Sequence, residues 1–564
     1  MEEKNEEKRN MLIFFAVSLL IMLAHQHFFG NTAPVIQQSP QNTSTPTAEH
    51  VMIPSMSSEA PNEASPMPAT VAIEEPARQI IINTKSLNGS LSTKGVKLET
   101  ISLKNYMEGL DKPERVSILG NKKNAYYVVS DWYSEDKSIP LPNEDSVWKA
   151  SSDELSENSP ITLTWDNKNG LLFEKHISID SSFIITIVDR IKNYGDRVVK
   201  LQSRLKIHRE FLKDPANVWT FYEGPLGYLN GRLEEISYED IDKKNDVTYD
   251  ARGGWFGITD KYWLVAFIPS QNANNKVSYG HFSSNGKKIY SVESSGDVLQ
   301  VAPSSEISLT NHLFTGAKEI KTLDMYEETL GVKHFDLAID FGNLYFITKP
   351  LLYALALAKD MVGNMGLGIL LITLLIKLLL LPLANKSYKS MNRMKKIQPK
   401  IQALQKKYAN DKAKLGQEVS ELYKKENINP IGGCMPSLLQ SPVLFALYKV
   451  LYISIEMRQA PFIGWIHDLS MPDQLTIFNL FGLLQFDLPE FLRIGIWPIL
   501  MGISMLLQQK MGPEPADPAQ ANMMFILPIM FTFMFAQLPA GLVIYWTFSN
   551  ILSIAQQYYV TRST

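Results

Sequence analysis

Cysteine is nearly missing from this chain: Cys434 is its one thiol in 564 residues. A single cysteine excludes an intramolecular disulfide, a CxxC redox pair and a multi-cysteine zinc site. Its place far along the chain also excludes an N-terminal lipidated cysteine, and Cys434 reads most simply as a small apolar helix residue. Histidine is equally sparse where the apolar runs are long, with His467 the one example after His334. HExxH metalloprotease and Ser–His protease readings therefore fail. No phosphate-cradling glycine motif, metal-ligand cluster or triad spacing stands out, so neither cofactor nor metal nor nucleotide is expected. The net charge is small at −3. That average hides a strong asymmetry, since most long apolar runs fall after Gly342 and much of the region before it is polar.

The first apolar run covers 11–24, continues more weakly to Phe29, and follows Lys4, Lys8 and Arg9. The stretch 30–34 has no good small-x-small cleavage site, so 1–30 is expected to be an uncleaved transmembrane anchor starting in the cytoplasm. His25 and His27 read as interfacial polar caps. From 31 to 77 the chain is rich in Pro, Ser, Thr, Gln, Asn and Glu and carries too little apolar surface to offset ordering, which predicts a flexible linker. Across 78–340 the pattern changes to short β-branched runs of period two, such as 176–179, 183–188 and 198–201. Turn signals at Asn169-Gly170, Tyr194-Gly195 and Ser295-Gly296 bound them. A large antiparallel β-sandwich is expected, with Trp165, Trp219, Trp255 and Trp263 as core or cleft aromatics. The stretch 341–362, with Lys349 and Lys359 bracketing an apolar run, predicts an amphipathic helix lying along the membrane surface.

Five spanning candidates follow, at about 365–384, 431–455, 491–509, 522–538 and 541–559, each near the ~20 residues that cross a bilayer core. The shorter piece 475–488, holding Asn479 and Asp487, reads as interfacial or re-entrant. Orientation comes from charge. Between Asn385 and Asn427 stand twelve Lys or Arg against four Asp or Glu, including Arg393, Lys395, Lys396, Lys400, Lys406 and Lys407. Such a loop stays in the cytoplasm. With six spans, both termini are then cytoplasmic and the β domain lies on the far side. Helical spacing over 398–408 and 412–425, broken near 409–411, makes the loop a basic helical hairpin suited to anionic lipid headgroups.

Lys377 sits among leucines, nine residues before Lys386, or ~13 Å along a helix. A lysine stem covers about half of that distance, and a lysine at membrane depth costs at least ~2.5–3.5 kcal/mol. The five later spans contain no Asp or Glu, so an ion-coupled relay loses ground. A wet cavity open to the cytoplasm, visited by an anionic guest, is the remaining way to accommodate the charge. Polar residues that fit such a cavity are Thr373 one turn earlier, the stripe Ser437, Gln440, Ser441 and Tyr448, and Thr532. In the last helix Asn550, Ser553 and Gln557 recur at i, i+3 and i+7, with Tyr545 and Trp546 nearer its outer end. For any single Ser or Thr, ordinary interhelical hydrogen bonding at ~0.6 kcal/mol is the stronger reading. Met501, Met505, Met511, Met523, Met524, Met530 and Met534 supply flexible thioethers in the late helices, equally explained by gap filling.

Four stretches resemble the YidC/Oxa family: Asn429-Pro430-Ile431-Gly432-Gly433-Cys434, Arg458-Gln459-Ala460-Pro461-Phe462, Trp465 to Ser470, and Gly541-Leu542-Val543-Ile544-Tyr545-Trp546. The stretch from Gly253-Gly254-Trp255 to Pro269 is similar to that family's periplasmic β domain. The resemblance implies an α-helical polytopic membrane protein of six transmembrane helices, five of them an insertase core over 363–564, with a large periplasmic antiparallel β-sandwich. It implies a membrane insertase and chaperone, not an enzyme, in the inner membrane. Its partners would be nascent membrane proteins and the Sec translocon with its accessory subunits, without nucleic-acid specificity. It implies a hydrophilic groove open to cytoplasm and lipid, whose cationic residue, usually arginine, falls here on Lys377. Substrates would leave past Ser441, Pro442 and Leu444 on one helix and Phe531, Thr532 and Phe535 on another. An aromatic pair in the last helix matches Tyr545-Trp546, although tyrosine is usual at the second place. Some members bind ribosomes with a long basic tail; this chain ends Thr561-Arg562-Ser563-Thr564, so any ribosome contact rests on the basic hairpin or is weak. A small-solute transporter, which would carry an internal repeat, and a scaffold anchored by its helices are the rival readings.

Overall fold

The computed structural model describes residues 76–563 apart from 111, 121–124, 211–220, 409–410, 427–434, 479–492 and 513–517. The expected anchor, nearly all of the linker, Trp219 and most of 475–488 lie outside the described residues.

Period-two alternation builds two sheets, of ten and nine strands. Leu171–Ile179 shows the cause: Leu171, Phe173, Ile177 and Ile179 turn inward while Leu172, Glu174, His176 and Ser178 turn away. At the centre of one sheet Val199–Glu210 pairs with Tyr126–Tyr133 and Lys287–Val301. In the other, Ser305–Ala317 pairs with Ile184–Asn193 and Trp263–Ile268. Pairing is antiparallel except for a short parallel contact of Gln79–Asn83 with Glu154–Leu155. The two sheets meet over one hydrophobic core. Trp255 is fully buried in that core, whereas Trp165 and Trp263 pack against it half-buried.

Two of the three turn signals sit between strands. Asn169-Gly170 closes a hairpin in which Gly170 takes φ +87°, a value that favours glycine. Near Tyr194-Gly195 the chain crosses between sheets, and the Asn193 side chain accepts from Gly195 N–H at 3.0 Å. Ser295-Gly296 is not a turn: both residues lie inside the strand Lys287–Val301. The ladder shifts register there, between Gln202 and Arg204 of the neighbouring strand, so this glycine marks a β-bulge.

The described residues hold nine α-helices. Helix α1 (Tyr238–Lys244) and α2 (Ile320–Leu330) belong to the β domain. Helix α3 (Tyr345–Val362) falls within the stretch 341–362, burying Thr348, Leu352 and Leu355 while Phe346 and Met361 stay exposed. Helix α4 (Met365–Lys407) differs from expectation, because the first span and the first arm of the hairpin are one continuous helix of 43 residues. Asn364 caps its start by accepting from Leu367 N–H at 3.0 Å. Pro382 and Pro399 lie inside it without ending it. Gln556 splints the turn after Pro382, donating to Asn385 Oδ1 at 2.8 Å and to the Leu381 carbonyl at 3.4 Å.

Helix α5 (Lys412–Lys425) is the second hairpin arm, followed by α6 (Met435–Ile453), α7 (Ile496–Met511), α8 (Pro518–Phe535) and α9 (Ala540–Arg562). A helix overlaps the described part of each expected core span, while 431–434 and 491–492 lie outside the described residues. By length and composition together, α4 alone among the described helices is long and apolar enough to cross a membrane; Ser441–Ile453 and Asn522–Phe535 are shorter apolar stretches.

Candidate functional site

The principal packing of the C-terminal helices runs in the order α6, α3, α4, α9, α7, α8, with α6 also touching α4 and α9. Helices α4 and α9 therefore lie in the middle of the row, and α6 and α8 stand at its flanks. Close approach along the row depends on small residues. A side chain at Gly502 of α7 would collide with Thr532 Oγ1 of α8, and one at Gly366 of α4 would collide with the Phe462 ring.

Lys377 projects from α4 toward α9, half-buried, and donates to Ser553 Oγ at 2.7 Å. Ser553 in turn donates to the Ser549 carbonyl at 2.9 Å, so its lone pairs are turned to the ammonium. Around this bond the leucines of α4 are exposed, Leu379 at 78%. A charged nitrogen and a buried hydroxyl are thus embedded in an otherwise apolar surface.

Polar side chains of α9 fall on both sides of that helix. Asn550 and Gln557, both buried, face α7, donating to Ser504 Oγ at 2.9 Å and to the Met511 carbonyl at 3.0 Å. Ser553 faces α4. The i, i+3, i+7 stripe is real, but it serves two neighbours. Thr373 is buried and donates to its own helix at Ile369 O, 2.6 Å away. Thr532 does likewise to Pro528 O at 2.8 Å. Tyr545 is buried. Trp546 stacks edge-on against Phe535, with centroids 4.6 Å apart, and tilts over Phe531 at 6.1 Å. Three residues expected near a substrate path thereby form one aromatic cluster. On α6, Ser441 and Leu444 are half-buried and Pro442 is exposed; Tyr448 stacks on Tyr452 at 5.7 Å. The side chains of Ser437 and Gln440 lie outside the described residues.

The residue that sequence reasoning placed in the stripe without singling out is Ser553, the acceptor for Lys377. Ser504, the acceptor for Asn550, was missed altogether. Its signal was weak, a lone serine among Ile503, Met505 and Leu506.

The basic hairpin has its own small core, in which Ile397 and Ile401 are buried against Val419, Leu422 and Tyr423. Arg393, Lys395, Lys396, Lys400, Lys406 and Lys407 are all exposed. Lys400 pairs with Glu426 at 2.6 Å; both ends of that bridge are wet, so it adds little stability.

Glu327, His334 and Asp336 of the β domain bring possible metal-ligand atoms within 4.8 Å of one another. Asp336 Oδ2 already receives Tyr345 Oη and Lys349 Nζ, each at 2.7 Å, so the lysine supplies a cation there. This carboxylate joins the β domain to α3.

Comparison with known proteins covers both halves of the chain. Residues 357–564 match the family model described as 60Kd inner membrane protein, and residues 79–354 match the YidC periplasmic domain. The membrane protein insertase YidC of Rickettsia massiliae is 43% identical over 98% of this chain and 99% of its own. That of Rickettsia rickettsii is also 43% identical, with the same coverage. A solved YidC insertase with its first transmembrane domain resolved covers 86% of this chain and 93% of its own at 17% identity, with a TM-score of 0.35.

Proposed function

The chain belongs to the YidC family of membrane protein insertases, and from that premise we propose that Lys377 is the charge that draws substrates into a cytoplasm-open groove. The protein is an inner-membrane insertase that acts on nascent membrane proteins, with a periplasmic β-rich domain. The groove lies between α6 and α8, with α4 and α9 as its floor. The observation that carries this reading is the Lys377–Ser553 bond, a polar contact set amid exposed leucines on the floor helix.

A short hydrophilic segment crossing a bilayer pays for every unsatisfied backbone group and every charge. A polar notch shortens that path, and an ammonium within it attracts an acidic tail. The apolar flank of the substrate then slides into lipid past Ser441, Pro442 and Leu444 on α6 and past Phe531, Thr532 and Phe535 on α8, and its burial drives the step without ATP. Lysine keeps the charge of the usual arginine but gives up its bidentate fork, so attraction is retained with looser geometry. Thr373, Asn550, Tyr545 and Trp546 brace the notch.

The same reading includes six spans, the first within residues 1–30, with both termini cytoplasmic and 31–77 as a linker. The exposed lysines of the hairpin contact anionic headgroups, the Sec translocon with its accessory subunits, or the ribosome. The test is a charge series at Lys377 (Arg, Ala, Glu) with an acidic-tailed single-span substrate, combined with crosslinking from positions 441 and 532 to a stalled nascent chain. Insertion should persist with Lys and Arg and fall from Ala to Glu, with crosslinks at both positions. Equal insertion by all variants would remove the charge from the mechanism.

A further inference from the structure

Helix α6 is gripped at one end and weakened in its middle. Lys449 Nζ lies 2.8 Å from Asp340 Oδ2, with both side chains mostly buried, at 17% and 23% exposure. The same Asp340 oxygen accepts from Tyr222 N–H at 3.0 Å, and Oδ1 accepts from Gly342 N–H at 3.0 Å. One carboxylate therefore ties a β-domain loop, the segment leading to α3, and a lysine on an apolar helix. Beyond Lys449 the grip continues. Lys261 Nζ sits 3.9 Å over the Tyr452 ring. Arg458 donates to the Glu108 carbonyl at 3.1 Å, and Gln459 to the Met107 carbonyl at 2.9 Å. Toward the other end stands Pro442, inside the helix and exposed. Proline has no N–H for the carbonyl four residues back, and its ring crowds that turn, so a helix bends there most easily.

We propose that the Lys449–Asp340 ion pair clamps the β-domain half of α6, so that this flank of the groove opens only by a swing of its other half about Pro442. The inference rests on the groove reading, because it assigns to α6 the yielding wall. Lys449 and Asp340 are positioning residues: neither touches substrate. A charge one turn inside the end of an apolar helix costs free energy unless it reaches a partner. Asp340 provides that partner from outside the helical row, and docking of the β domain and orientation of α6 thereby become one equilibrium. The clamp also gives the periplasmic domain a mechanical part in insertion, as the fixed abutment against which the helix bends.

The full-length protein in lipid nanodiscs, with Cys434→Ser, carries a spin label at Lys287 of the β domain and a second at either Phe445 or Ser437. The 287–445 distance distribution should be narrow and indifferent to a stalled substrate, while 287–437 shifts when substrate is loaded. Lys449→Met and Asp340→Asn should each broaden 287–445 and lower insertion several-fold, and Lys449→Arg should restore both, which a merely space-filling role would not require. An unchanged 287–445 distribution in both variants overturns the clamp, as does a 287–445 shift equal to that of 287–437 on loading. Lys377→Glu separates the two readings, because it should abolish insertion while leaving 287–445 narrow. If it leaves insertion intact, the groove charge fails and the distance measurements still decide the clamp.

Discussion

Lys377 and Ser553 meet at 2.7 Å across 176 residues of sequence, joining the first and last helices of the insertase core. The acceptor is a neutral hydroxyl, which satisfies a donor without adding negative charge. Ser553→Asp would supply a built-in counter-ion at the same place. Insertion of an acidic-tailed substrate should then fall about tenfold or more, since close opposite charges within low-dielectric surroundings are worth over ~1.4 kcal/mol. A substrate with a neutral tail should lose much less. Equal losses for the two substrates, measured side by side in proteoliposomes, would mean that Ser553→Asp only damages packing.

Helices α7 and α8 approach closely where Gly502 faces Thr532. Gly502→Ala obliges the threonine to rotate away from Pro528 O, and Gly502→Leu obliges the helices to part. Overpacking of this kind costs about 1–3 kcal/mol. Gly502→Leu should lower the melting temperature in detergent and reduce crosslinking from position 532 to a nascent chain, with Gly502→Ala intermediate. Wild-type crosslinking in Gly502→Leu would show that the spacing of this pair does not shape the exit side.

How much of this was legible beforehand varied with the range of the interaction. The strands around Leu171–Ile179 and Ile184–Asn193 were readable because burial on one face writes itself as local alternation. Each core helix was readable because its apolar run is itself local. Continuity of α4 was not, since Pro382 and Pro399 are breakers in isolation and the splint from Gln556 lies 171 residues away from Asn385. Gly296 was misread for a related reason: a glycine in a bulge and a glycine in a turn look alike until the partner strand is known. The importance of Lys449 was hidden entirely, because Asp340 stands 109 residues earlier in another domain. At the site, Lys377 announced itself by its surroundings, but its choice of Ser553 over Asn550 depends on which side of α9 faces α4.

Within the β domain, Lys175 and Asp189 form an ion pair of 2.6 Å, each about 1% exposed, and Lys175 also donates to Ser130 Oγ of the opposite sheet at 2.9 Å. Removing one member leaves the other charge buried, which typically costs about 3–5 kcal/mol. Lys175→Met and Asp189→Leu should each lower the unfolding midpoint of the β domain sharply, followed by tryptophan fluorescence in urea. The double variant should regain most of the loss, because two apolar side chains need no partner. A double variant as unstable as the sum of the singles would mean that the pair contributes through its hydrogen bond to Ser130 rather than through mutual neutralisation.

His208 should give the β domain a specific response to acid. Its ring is buried, stacked on Tyr127 at 5.1 Å and met edge-on by Phe282 at 5.2 Å, and neither ring nitrogen has a hydrogen-bond partner among the described residues. Burial, and secondly the charge of Lys206, push its pKa down from 6.5 to about 4. A base with a depressed folded pKa destabilises the fold when the unfolded chain can take up a proton and the folded one cannot. Above about pH 6.5 the imidazole is neutral in both states and contributes no pH dependence. As pH falls from about 6.5 toward 4, stability drops progressively, by up to about 3 kcal/mol from this residue. His208→Phe retains the stacked ring and removes the proton site, so its unfolding midpoint should fall less steeply across that window than the wild type's, with the two curves parallel above it. Parallel curves through the whole range would place the acid response elsewhere, among the carboxylates of the domain.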